Sequence, residues 1–150
     1  MQERSNQAKE FLRRYRAILY RQESLIRTLD ALRARQVNTT INMDAVQISG
    51  VGYVSDKMAE AVAKVLALED QIIEAEAKAR AQLADIMEAI NSVKDDTLKT
   101  ILLLRYVEGL GWVEIAERMH YEKSSVFIFH GRALMAVQNW IDKHWSKLEY

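Results

Sequence analysis

The chain has 150 residues, 49% of them apolar, 28% charged, with no proline, no cysteine and only five glycines. Without proline, and with so little glycine, long helices run uninterrupted; without cysteine, disulfides and thiolate metal sites are excluded. Formal net charge is zero, but it is unevenly spread: residues 1–36 hold nine Lys/Arg against four Asp/Glu, residues 37–93 four against nine, and residues 94–150 eight of each. The basic and acidic segments either pair with each other or are two solvated faces of opposite sign.

The opening Met1-Gln2-Glu3-Arg4 runs into charged residues with no apolar stretch behind it, so no signal peptide is expected. No run approaches the roughly 18 apolar residues of a spanning helix. These features predict a soluble protein of the cytoplasm with no membrane partner.

A first helix is predicted over about Asn6 to Gln36. Phe11, Tyr15, Ile18, Leu25, Leu29 and Leu32, with Gln22 in the one polar slot, alternate at spacings of four and three, the seam of a coiled coil. Leu12, Leu19 and Ile26 widen that stripe enough to touch a second partner. Val37 to Val54 is rich in Thr, Asn, Val and Ile and holds Gly50 and Gly52, so it is expected as a long connector, serving as a contact surface or a mobile tip. Ser55 and Asp56 are expected to cap a second long helix. Its stripe is Met58, Ala61, Val65, Leu68, Ile72, Ala75, Ala79, Leu83, Ile86, Ile90 and Val93. Matched stripes and opposite charge predict an antiparallel hairpin over residues 1–93. Such a hairpin buries little by itself, so a homo-oligomer, most simply a dimer, or docking against the C-terminal part is expected.

From Asp95 the pattern shortens. Asp95-Asp96-Thr97 opens a helix that Leu98, Ile101, Leu102, Arg105 and Tyr106 carry to Val107. Glu108-Gly109-Leu110-Gly111 breaks it, Trp112 to Met119 forms a short amphipathic helix, His120-Tyr121 is a tight turn, and Lys123 begins a long last helix. Two short helices with the small Ala116 at their crossing, and Val126, Phe129, Ala133, Leu134 and Val137 buried on the next, spell a helix-turn-helix over residues 94–150. The fold expected is all-α.

The residues Leu104-Arg105-Tyr106, Gly109, Trp112, Glu114-Ile115-Ala116, Tyr121, Val126 and His130-Gly131-Arg132-Ala133-Leu134 resemble region 4 of bacterial sigma factors. The stretch is closer still to the small phage and prophage regulators that carry a region-4-like domain, the ArpU-like late regulators among them. The arm is similar too, its second helix opening on Asp56-Lys57. The resemblance implies a transcriptional regulator in a bacterial host cell that binds double-stranded DNA and touches RNA polymerase. By position Lys123, Ser124, Ser125, Phe127, Ile128 and Arg132 meet the bases, with Arg118, Lys99 and Arg105 as phosphate contacts. Phe127 and Ile128 depart from the polar residues of the family. An apolar pair cannot donate to guanine, so it contacts thymine methyls, forms a protein interface, or lies partly buried under the arm.

Other chemistry finds no constellation. His120, His130 and His144 lack the spacing of a zinc site. His130 either packs beside the turn or meets a phosphate. Glu114 and Glu117 read as solvated helix surface, Gly50-Val51-Gly52 as a turn signal, and no phosphate-cradling loop occurs. Trp112 is expected in the core, and Trp140 and Trp145 in packing or a subunit contact. No catalytic residue, metal or cofactor is assigned, and the chain is not expected to be an enzyme. Two rivals stand beside the regulator: a sigma-like adaptor that binds protein, and the small subunit of a phage packaging terminase.

Overall fold

The computed structural model describes the backbone of residues 2–44 and 51–148, and the side chains of residues 3–36 and 56–144. Among the described residues every regular element is helical: α1 (Gln2–Asp44), α2 (Val51–Asn91), α3 (Asp96–Leu102) running on as a π turn (Leu103–Val107), α4 (Trp112–Met119) and α5 (Lys123–Leu148). No described helix is long and apolar enough to cross a membrane.

Both long helices exceed their expected lengths. The β-branched stretch that predicts a connector is helical from Val37 to Asp44, and α2 is already helical at Val51. Ser55 and Asp56 therefore lie inside α2 and do not cap it. The reason is cooperative: extending an existing helix gains a hydrogen bond for each residue fixed, and no proline stands in the way. Poor intrinsic propensity, a few tenths of a kcal/mol per residue, is too weak to stop it. Residues 45–50, and with them the expected contact surface or mobile tip, lie outside the described residues.

The described residues divide into two compact units, residues 1–18 with 79–150, and residues 19–78. In the first unit, Ala8, Phe11 and Leu12 of α1 and Ile86, Ala89, Ile90 and Val93 of α2 share one buried cluster with Leu102, Tyr106, Ala133, Leu134, Val137, Trp140 and Ile141. Three short helices cannot bury that apolar face among themselves, so the beginning of α1 and the end of α2 cover it. Trp140 lies in this cluster with its ring 5.8 Å from that of Phe11; the side chain of Trp145 is outside the described residues.

In the second unit the helical seam is less deeply buried. Leu29 and Ala75 are buried, Leu25, Leu32, Val65, Leu68 and Ile72 half-buried. Arg33 of α1 reaches Glu69 of α2 at 2.6 Å. Tyr20, Ile26, Met58, Val62, Leu66 and Ile73 are exposed. The expected seam residue Met58 is thus on the surface. A second change of seam occurs in the first unit, where Gln82 is buried and Leu83 half-buried. The run Ala75, Ala79, Gln82, Ile86 keeps spacings of four and three, so a polar side chain occupies the slot that hydrophobicity assigns to its neighbour.

Local chemistry fixes the C-terminal elements. The side chain of Asp95 accepts a hydrogen bond from the Leu98 amide at 3.0 Å, capping α3. The helix widens at Leu103, where the Glu108 amide donates to the Leu103 carbonyl, a five-residue step, at 3.0 Å. Gly109, with φ 78°, ends the turn, and the Leu110 amide closes it on the Leu104 carbonyl at 2.9 Å. α4 ends in a Schellman motif: the His120 amide donates to Glu117 and the Tyr121 amide to Ala116. His120 supplies the left-handed residue that glycine usually provides, at φ 57°. Ile101, Ile115, Ala116 and Val126 form a second small core holding α3, α4 and the first turns of α5 together, with Phe129 only half-buried against it.

Candidate nucleic-acid interface

The tight turn at His120 and Tyr121 sends the chain directly into α5, and Val126, His130, Ala133, Leu134 and Val137 turn one face of that helix inward. Helical geometry then places Ser124, Phe127, Ile128, Gly131, Arg132 and Met135 on the opposite face. All six are exposed, Phe127 to 46% and Ile128 to 57%. Within the chain, burial of this pair beneath the arm is thereby ruled out: the helical register points both side chains to the surface.

Of the residues expected to meet bases, Lys123, Ser124, Phe127, Ile128 and Arg132 lie together on the exposed side, and Ser125 is half-buried. The ammonium of Lys123 is 5.7 Å from the Phe127 ring centroid, close enough for a weak cation–π contact. The phosphate candidates are more scattered. Arg118 is exposed but already engaged, with Glu108 at 3.2 Å and Glu114 at 3.4 Å. Arg105 is half-buried, donates to the Leu110 carbonyl at 3.0 Å and lays its guanidinium 4.5 Å from the Trp112 ring centroid. Lys99 is half-buried on α3, and no described contact joins it to the face of α5.

Trp112 is half-buried, packed at the edge of the second small core, and acts as a hub between elements. Its ring meets His130 edge-on at 4.5 Å and Phe127 edge-on at 5.3 Å, and lies under Arg105. The first residue of α4 therefore props the exposed Phe127 from behind. Behind it again, the Tyr106 hydroxyl and Nε2 of His130 are hydrogen-bonded at 2.6 Å. Burial, reinforced by the positive charges of Lys9, Arg105 and Arg13, pushes His130 down to about 4. Burial also pushes the Tyr106 phenol up to about 12, against the pull of Arg13 and Arg105. Both groups are neutral at pH 7. A buried, neutral imidazole is unsuited to holding a phosphate, so of the two readings for His130 the packing one stands.

Sequence reasoning missed two features here. One is the buried Tyr106–His130 pair, for which spacing alone carries no signal because the residues sit on different helices. The other is which cations α1 brings with it when it docks against the C-terminal part, an arrangement itself among the expectations. Its cations influence Tyr106 and His130, and the guanidinium of Arg16 packs on Gly109. A signal for it exists, since Lys9, Arg13 and Arg16 keep helical spacing beside the buried Ala8, Leu12 and half-buried Tyr15.

The chain matches no protein-family model, no curated protein and no solved structure.

Proposed function

We propose that the chain is a sequence-specific DNA-binding transcriptional regulator of phage or prophage origin, acting in the bacterial cytoplasm, in which α4 and α5 form a helix-turn-helix. The observation that carries this reading is the exposed face of α5 immediately after a tight turn, with Lys123, Ser124, Phe127, Ile128 and Arg132 side by side. In a helix-turn-helix such a face enters the major groove. Lys123 and Arg132 supply donors, Ser124 a short hydroxyl, and Phe127 and Ile128 an apolar surface suited to thymine methyl groups. The resemblance to sigma region 4 points the same way and suggests RNA polymerase as a second partner.

The long helices serve this reading as an antiparallel hairpin that joins copies of the chain. Exposed Met58, Val62, Leu66 and Ile73 recur along one side of α2 and give a homo-oligomer an apolar surface to bury.

A protein-binding adaptor is the second reading, favoured by the same exposed Phe127–Ile128 pair and by the balanced charge of residues 94–150. Gel-shift assays with fragments of the source genome at low salt separate the two. A retarded fragment that competes out with itself, but not with bulk DNA, supports the regulator. Absence of any shift, together with retention of RNA polymerase on the immobilised chain, favours the adaptor.

A further inference from the structure

Lys9, Arg13 and Arg16 follow one another at spacings of four and three, so they project from one side of α1. Each stands one residue on from a member of the row Ala8, Leu12 and Tyr15, which packs against the cluster containing Tyr106, Ala133, Leu134 and Val137. The basic row thus borders the contact between α1 and the C-terminal helices. At its far end the Arg16 guanidinium lies against Gly109, 2.6 Å from where a Cβ on that residue would stand. A fourth cation, Arg105 of the π turn just before this loop, has its guanidinium bonded to the Leu110 carbonyl and stacked on Trp112. Among the described residues neither Lys9 nor Arg13 has a carboxylate within ion-pairing distance.

Lys9 and Arg13, one helical turn apart, repel each other unless an anion lies between them. Residues 94–150 have no net charge to attract nucleic acid, whereas residues 1–18, which join them in one compact unit, hold five Lys/Arg against two Asp/Glu. The chain therefore gathers its positive potential from α1, not from the helices that resemble a DNA-binding domain.

We infer that Lys9, Arg13, Arg16 and Arg105 form a second nucleic-acid contact, holding backbone phosphates of duplex DNA beside the segment whose bases α5 reads. This inference rests on the DNA-binding reading and adds a division of labour to it: α1 supplies affinity without sequence preference, and α5 supplies the preference. The backbone of double-stranded DNA is the ligand, since each phosphate neutralised releases condensed counterions and contributes ~0.9 to the slope of log affinity against log salt.

The test uses the full chain, with a duplex fragment that the wild type retards and a scrambled duplex of equal length. The double variant Lys9→Gln/Arg13→Gln is compared with the charge-keeping Lys9→Arg/Arg13→Lys and with Arg132→Gln, after thermal melts establish that each is folded. The Gln pair is expected to weaken binding to both duplexes alike, by roughly tenfold at ~0.1 M salt, and to flatten the salt slope by ~1–2. The charge-keeping pair is expected to restore both, while Arg132→Gln narrows the gap between specific and scrambled duplex. Wild-type affinity and slope in the Gln pair, with the specific duplex still bound, overturn the inference and leave the DNA reading intact. Loss that persists in the charge-keeping pair also overturns it. Failure of the folded wild type to retard any fragment overturns both.

Discussion

The hydroxyl of Tyr106 and Nε2 of His130 meet at 2.6 Å, joining the π turn to α5 directly behind the exposed Phe127. The ring of His130 stands 4.5 Å from Trp112, and Trp112 stands 5.3 Å from Phe127, so one neutral hydrogen bond underlies a relay of two aromatic contacts. Removing the phenol oxygen leaves a buried imidazole nitrogen without its partner. Tyr106→Phe is expected to cost about 1–2 kcal/mol in urea unfolding, the usual penalty for an orphaned buried polar group. A cost near zero would mean the bond contributes nothing net.

The same pair sets a pH dependence. In the unfolded chain His130 takes up a proton near its ordinary pKa of 6.5, whereas in the folded chain it takes one up only near 4. The unfolded state binds more protons between those values, so this group's contribution to stability is fully present above pH 6.5 and is lost as pH falls through about 4. For Tyr106 the window is alkaline: its contribution is intact below pH 10 and is lost as pH rises through about 12. The urea midpoint should drop between pH 7 and pH 5, and His130→Gln should drop measurably less. Equal drops in variant and wild type would assign the acid sensitivity to other groups.

His120 adopts φ 57°, a conformation that costs a residue with a Cβ roughly 1–2 kcal/mol and glycine nothing comparable. Glycine gives back part of this through the entropy of the unfolded chain. His120→Gly is therefore expected to stabilise by about 0.5–1 kcal/mol, read as a higher melting temperature. Gly109→Ala should do the opposite, since φ 78° is closed to alanine without strain. Opposite signs at two turn positions check the turn geometry more sharply than either change alone.

Gln82 is 8% exposed, and its amide nitrogen has no hydrogen-bond partner among the described residues. Substituting Met, which has similar length and no donor to satisfy, is expected to raise stability by about 1 kcal/mol in denaturant titration. If Gln82→Met destabilises, that amide must be satisfied in solution, and the seam is more polar than its burial indicates.

Phe127 makes its contacts at the surface, so Phe127→Ala should change the melting temperature little while altering what the chain binds. A changed base preference assigns the ring to methyl readout, and an unchanged preference with a lost oligomer or polymerase contact assigns it to a protein interface. Binding assays beside sedimentation give both readouts on one sample.

The C-terminal elements were the most legible, because their boundaries are written in cap chemistry. Asp95 caps α3, Gly109 and Gly111 bracket the break, and α4 begins and ends at the expected Trp112 and Met119. The inward stripe of α5 was equally readable, although Phe129 is only half-buried. The start of the expected connector is instead helix because Val37 to Asp44, though of poor helix propensity, has a helix already running into it. The π turn carries no recognisable signature. The candidate site was legible on α5 through the resemblance, although the sequence left open whether Phe127 and Ile128 face outward or lie under the arm. On α1 the helical spacing of Lys9, Arg13 and Arg16 beside the apolar row is a legible signal, but their nearness to Tyr106 and His130 in particular is not, since about a hundred positions separate them.

Selection from a random-sequence duplex library by the full chain at low salt tests the groove-binding face of α5 most directly, with a Ser124→Ala/Phe127→Ala/Arg132→Gln variant alongside. The account predicts that the wild type enriches one defined motif and that the folded variant enriches a different motif or none. Enrichment of the same motif by both, or of none by a wild type that is folded, would contradict it.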